Sequence, residues 1–116
     1  MSENKTTVER YMDGFNRSDH ALILSCLTDD VVWDMPGFYH HVGKEAFDQE
    51  IENPGFVGRP AIIISRMVEE GDVVVAEGSV RAEKSDGGFL HAVFCDVFLM
   101  REAKIRRLTS YLMELK

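Results

Sequence analysis

Residues 72–101 run DVVVAEGSVRAEK, then SDGG, then FLHAVFCDVFLMR. Two long stretches rich in β-branched and aromatic residues flank Ser85-Asp86-Gly87-Gly88, a separator of the kind that closes a hairpin. Residues 60–70 and 104–115 read the same way, divided off by Glu70-Gly71-Asp72 and Arg101-Glu102-Ala103. Because each separator is short, the spacing predicts four strands, 60–70, 72–84, 88–101 and 104–115, joined in order as an antiparallel meander. Val73 and Val75 alternate with Val74, Ala76 and Val80, and Ala92 to Cys95 and Val97 to Met100 are apolar throughout. Both faces of the sheet are therefore partly apolar. One covers a core. The other calls for a partner, and a homodimer through the outer sheet face is expected.

Ahead of the meander the period changes. Val8, Tyr11, Met12 and Phe15 recur at i, i+3, i+4 and i+7, which predicts a helix over 5–17. Asn16-Arg17-Ser18-Asp19 ends it, and Ser18 or Asp19 can cap a second short helix carrying Ala21, Leu22, Leu24 and Leu27. Thr28-Asp29-Asp30 reads as a turn, and Val31 to Met35 as a short strand ended by Pro36-Gly37. Residues 38–42 read as a loop. Gly43 precedes a third helix over 44–53, with Ala46, Phe47 and Ile51 facing inward, and Asn53-Pro54-Gly55 stops it. Three helices and a short strand before a meander give an α+β fold.

The whole chain, 1–116, is expected to form one domain, with 45% apolar and 28% charged residues. The longest apolar runs are four residues, as in Ala61 to Ile64, whereas a membrane helix needs about 20. A net charge of −7 disfavours general affinity for nucleic acid or anionic membranes. Met1 to Lys5 lacks the basic-then-apolar pattern of a signal peptide. Cys26 and Cys95 fit no metal or redox spacing and read as buried free thiols, so the expected location is cytoplasmic. No Gly-rich phosphate loop, Gly-x-Ser-x-Gly elbow or zinc motif occurs, and neither cofactor nor metal is expected.

Several motifs together carry a resemblance. They are Val8-Glu-Arg-Tyr11, Asn16-x-x-Asp19, Asp29 to Gly37 (DDVVWDMPG), Gly43 opening the third helix, and Phe94-Cys-Asp96-Val-Phe98. In this order the chain resembles the nuclear transport factor 2-like superfamily, and within it the SnoaL-like polyketide cyclases and the ketosteroid isomerases. The resemblance implies a curved, cone-shaped sheet closed on one side by the three helices, with a pocket inside. It also implies roles for two residues. Tyr11, directly after Arg10, and Asp96, just before Phe98, match isomerase residues that hydrogen-bond a developing oxyanion. The isomerases place their general base immediately before the Pro that ends the first strand. Here that residue is Met35, whose thioether cannot abstract a proton, and alternation turns Asp34 to the opposite face. Steroid isomerisation by that base is not expected.

Asp96 shares its face with Phe94 and Phe98, so its pKa is expected to rise. It is either a general acid or oxyanion donor, or a core Asp hydrogen-bonded to Tyr11 or the backbone. Tyr11 is either a core aromatic or a pocket hydroxyl. Counting strand positions against the resemblance puts Glu77 and Ser79, with Arg81, on the pocket side. The alternative puts Glu77 at a solvent edge or pairs it with Arg81. Facing inward, Glu77 and Asp96 would share one apolar cavity as acid and base. His40 and His41 are either a proton-accepting pair at the pocket rim or plain surface-loop histidines. Phe15, Trp33, Met35, Phe38, Phe47, Ile51, Phe94, Phe98, Leu108 and Leu112 are expected to line the pocket, which suits a small, flat, apolar ligand. The resemblance then implies a cofactor-independent isomerase, cyclase or dehydratase acting on a small carbonyl compound. The alternative is a non-catalytic ligand-binding or protein-interaction module.

Overall fold

The computed structural model describes residues 2–116. Helix α1 (Glu3–Arg17) starts where the Ser2 hydroxyl accepts the Lys5 N–H at 3.1 Å and ends at Ser18 in the left-handed region. Asp19 then caps α2 (His20–Ser25) by accepting the Leu22 N–H at 3.1 Å. The two helices pack closely because Gly14 has no Cβ, which would lie 2.7 Å from the Ile23 side chain. Helix α2 is shorter than expected. Leu27 lies beyond it and opens β1 (Leu27–Met35).

Residues 38–42 are not a loop. They contain β2 (Tyr39–Val42), which folds back on β1 through a turn with Gly37 at φ 86. Then follow α3 (Lys44–Ile51), β3 (Phe56–Glu70), β4 (Val73–Lys84), β5 (Phe89–Arg101) and β6 (Lys104–Glu114). One six-stranded sheet results, in the order β2-β1-β6-β5-β4-β3. The meander from β3 to β6 is antiparallel throughout, and β1 joins it by pairing parallel to β6. The architecture is α+β, as the periodicities predict.

The sheet bends where its ladder slips, between Val57 and Ala61, between Ile64 and Arg66, and between Leu99 and Met100. Gly78 sits in the bend of β4. A Cβ there would overlap the Ile63 carbonyl oxygen and meet the Phe94 ring, so no larger residue fits. Strand alternation assigns the faces. Val74, Ala76, Ala92, Phe94, Phe98 and Leu108 point to the concave side and are buried, together with Val8, Tyr11, Met12 and Phe47 of the helices. The convex face keeps Ile63, Val68, Phe89, Val93, Tyr111 and Met113 exposed. No helix among the described residues is long and apolar enough to cross a membrane.

Strand β3 is a sheet edge, and Asn16 at the end of α1 pairs with it as a strand would. Its Nδ2 donates to the Ile62 carbonyl at 3.0 Å, and its Oδ1 accepts the Ile62 N–H at 2.6 Å. The amide thereby ties helix to sheet edge and satisfies backbone groups that β4 leaves free. Asn16→Ala removes both bonds, and we expect a loss of about 1–3 kcal/mol. A lowered urea midpoint with unchanged slope would register it. An unchanged midpoint would mean that water replaces the amide at no cost.

Candidate functional site

The concave face, α1 and α3 enclose a cavity of about 1060 Å³. Its inner end is lined by the buried Tyr11 of α1, Trp33 of β1 and Ser110 of β6, with the half-buried Asp96 of β5. Its outer end opens among the charged residues Arg17, Glu52, Arg59, Lys84 and Glu114. The walls between are aromatic and aliphatic, including Phe15, Phe94, Ile51, Ile62 and Leu112.

Asp96 points inward because it shares the period-two face of Phe94 and Phe98, and its cross-strand neighbours are Ala76 and Ser110. Burial pushes its carboxyl up to about 7, and a hydrogen bond from Ser110 partly offsets the rise. The Ser110 hydroxyl oxygen accepts the Trp33 Nε1–H at 3.1 Å, which leaves its own proton for Asp96. Tyr11 is held edge-on by Phe15, Phe47 and Phe98, with ring centroids 5.1, 6.1 and 5.5 Å away. Burial first, then the negative charge of Asp96, hold its phenol well above the ordinary value. The Tyr39 phenol is raised by burial and then by Glu50 and Asp96. Near neutral pH the inner end therefore offers two phenols and a carboxyl that keeps its proton to higher pH than usual, all able to donate hydrogen bonds.

Glu50 of α3 also lines the cavity. Its Oε1 lies 2.9 Å from His41 Nε2, and its Oε2 accepts from Asn53 Nδ2 at 2.9 Å. His41 reaches it from β2, stacked on Tyr39 at 4.7 Å.

Of the residues expected at the site, Tyr11, Phe15, Trp33, Met35, Phe38, Ile51, Phe94, Asp96 and Leu112 do border this cavity. Others lie elsewhere. Phe47, Phe98 and Leu108 are fully buried behind the wall. Phe47 is stacked under Trp33 at 4.4 Å, and Phe98 is covered by Tyr11. Glu77 and Ser79 point to the convex face, because Asp96 pairs across the ladder with Ala76 while Glu77 pairs with Cys95. Glu77 accepts from Arg66 Nε at 2.7 Å, and Arg81 lies 4.9 Å over the Phe89 ring on the same side. No pair of acids is formed by Glu77 and Asp96. The count that put Glu77 inside is off by one position, which in a strand reverses the face. His40 also points outward, 3.6 Å from Asp34. His41 does not line the cavity but stands behind Glu50 and Tyr39. The alternation of Asp34 and Met35 holds: Met35 borders the cavity, and Asp34 lies beside Arg107 at 3.5 Å.

Sequence reading passed over Ser110, Tyr39 and Glu50. Ser110 could have been found, since it lies on the period-two face of Leu108 and Leu112. Tyr39 was hidden in residues read as a loop. Glu50 sits next to Ile51 on a short helix whose inward face was read from its apolar residues alone.

The SnoaL-like domain family matches residues 8–108. An LEH-like epoxide hydrolase of M. tuberculosis is similar in fold, with a TM-score of 0.84 and 21% identity, covering 96% of this chain and 83% of that one. An NTF2-like protein of unknown function from Burkholderia pseudomallei has a TM-score of 0.86 at 21% identity, covering 97% and 92%. TerC, co-crystallized with polyporic acid, has a TM-score of 0.84 at 24% identity, covering 94% and 90%. At these identities the likeness is one of fold. No curated protein matches the sequence.

The raised Asp96 carboxyl makes stability depend on pH. Below the ordinary value of 3.8 it is protonated in both folded and unfolded chains. Between 3.8 and about 7 only the unfolded chain ionises, so stability falls as pH rises through this window and levels off above it. Asp96→Asn should therefore stabilise the protein above neutrality, by on the order of a few kcal/mol at most. The advantage should shrink toward the acid end of the window, as urea unfolding across pH would record. An advantage that does not vary with pH would mean that Asp96 is ionised throughout.

Proposed function

The chain belongs to the SnoaL-like domain family, and on that premise we propose that it binds a flat, largely apolar carbonyl compound and moves protons on it without a cofactor, as an isomerase, cyclase or dehydratase. The observation that carries this reading is the pairing of Asp96, still partly protonated at neutral pH, with the Tyr11 phenol at the inner end of an aromatic cavity. A carbonyl oxygen seated there accepts two hydrogen bonds. Both strengthen as negative charge develops on the oxygen, which is stabilisation of the transition state above the ground state. Both bonds are made among aromatic and aliphatic walls, where each counts for more than it would in open water. The co-crystallisation of TerC with polyporic acid supports a small organic ligand for a fold of this kind.

Met35 favours a second reading. At the position of the isomerases' base it leaves open a pocket that binds the same compound and returns it unchanged. A second copy of the chain is the partner we propose for the apolar convex face, where Ile63, Val93, Tyr111 and Met113 are exposed. The free thiols Cys26 and Cys95 suit the cytoplasm as location.

Trp33, the only tryptophan, lines the cavity and reports occupancy by its fluorescence. We expect 2-tetralone, a flat ketone with an acidic C–H, to quench it, and Asp96→Ala to weaken binding about tenfold. Affinity should fall as pH rises through about 7, because ionised Asp96 no longer donates. In deuterated water the wild type should exchange the C–H protons of bound 2-tetralone, with a loss of about hundredfold or more in Asp96→Ala. Binding without exchange would replace the enzyme reading by the binding one, and absence of binding would defeat both. For the dimer, sedimentation should show dissociation in Tyr111→Glu. A wild-type monomer at every concentration would overturn it.

A further inference from the structure

We propose that Glu50 is the proton acceptor of this cavity, held in place by His41 and Asn53, and that it fills the role Met35 cannot. This rests on the proton-transfer reading above and names the group that reading lacks. Four observations lead to it. First, Glu50 is the carboxylate on the cavity wall, other than Asp96, that is largely withdrawn from solvent, with its side chain only 17% exposed. The remaining acids that border the cavity, Glu52 and Glu114, lie in the open mouth. Second, both of its oxygens are fixed, Oε1 by His41 Nε2 and Oε2 by Asn53 Nδ2, each at 2.9 Å. A carboxylate oxygen that accepts one hydrogen bond keeps a lone pair for a second proton, so this fixing aims the group without using it up. Third, His41 is itself fixed, stacked on Tyr39 and lying edge-on to Trp33. Base and orienting residue thus stand in line on a rigid backing. Fourth, the Tyr39 phenol feels the charge of both Glu50 and Asp96. Both carboxyls therefore lie near one cavity group.

The surroundings of the two acids differ. Asp96 has its carboxyl raised by burial. Glu50 instead accepts two hydrogen bonds, from His41 and from Asn53. The titratable and charged groups near Glu50 are His41 and Tyr39 of β2, Glu52 just past the end of α3, and Asp96 deeper in the cavity. From α2, His20 is engaged with Asp48 at 2.6 Å and Glu52 at 3.4 Å instead. From β1, Asp34 faces outward to His40 and Arg107. In the proposed step a C–H bond next to the ligand's carbonyl breaks and its proton passes to a Glu50 oxygen. The electron pair moves into a new C=C bond, and the carbonyl oxygen becomes an enolate oxygen held by Asp96 and Tyr11. Return of the proton to the same or a conjugated carbon completes an exchange or an isomerisation, with no oxidant or reductant consumed. Glu50 is then the catalytic residue, and His41 and Asn53 are positioning residues.

The test is hydrogen–deuterium exchange of 2-tetralone in deuterated water across pH, with Trp33 quenching as the measure of binding for each variant. Glu50→Gln, which keeps the size and polarity of the side chain, should bind the ketone as the wild type does and lose exchange by about hundredfold or more. The wild-type rate should fall on the alkaline side as Asp96 loses its proton. His41→Phe removes the donor that aims Glu50, so exchange should slow about tenfold or more with 2-tetralone binding kept, whereas His41→Gln, which still donates, should recover much of the rate. A merely structural role for His41 would lower binding and exchange together, with no recovery in His41→Gln. Undiminished exchange in Glu50→Gln overturns this proposal while leaving the carbonyl-binding site intact. So does loss of exchange in both His41 variants with Glu50→Gln active, which would make the imidazole the base. A wild type that binds 2-tetralone without exchanging it overturns the proton-transfer reading itself, and Glu50 with it.

Discussion

Strand alternation on a bent sheet is the constraint from which the site follows. Once Phe94 and Phe98 are buried on the concave side, Asp96 between them has to face the same way, and so does its ladder partner Ser110. The same rule sends Glu77 and Ser79 outward, whatever chemistry they could offer inside. The bend itself depends on Gly78, where any Cβ would run into the neighbouring strand and the Phe94 ring. Without that bend the concave face would be shallow, and the carboxyl of Asp96 would meet water in place of a walled cavity.

The cavity is expensive for a chain of 116 residues. It removes packing from a small core, and it holds a carboxyl and two phenols away from bulk water. Several features offset this. Tyr11, Phe15, Trp33, Phe47 and Phe98 form a continuous set of edge-on and stacked rings around the inner end. Trp33 hands its indole hydrogen bond to Ser110, which leaves the serine proton for Asp96. Asn16 closes the edge strand on the helix side. The same rings that stabilise the fold therefore also set the dielectric around the acid, so packing and acidity are not separable here.

Much of the fold was legible along the chain. The i, i+3, i+4, i+7 spacing of Val8, Tyr11, Met12 and Phe15 marks α1, and the short polar separators mark the meander. What was lost is instructive. Tyr39 to Val42 carry no long alternating run, and they become a strand because β1 offers a partner, with Gly37 supplying the turn. Leu27 looks like the next turn of a helix, yet Cys26 ends α2 and Leu27 enters the sheet beside Ile105. At the site, Asp96 and Tyr11 were legible because their immediate neighbours are apolar in the correct period. Glu50 was not, because a glutamate on a short helix looks solvated until His41 and Asn53 are brought to it from β2 and from the end of α3.

By itself the sequence determined the class of fold, the order of its elements, and the inward direction of Asp96 and Tyr11. These are local properties: hydrophobic period, turn chemistry and caps act over a few residues. Only the tertiary structure decided which inward residues touch the cavity and which lie behind it, as Phe47, Phe98 and Leu108 do. It also decided which second acid shares the cavity with Asp96. That choice depends on ladder register and on contacts between elements distant in the chain. A shift of one residue reverses a face, and no local pattern around Glu77 or Glu50 records it.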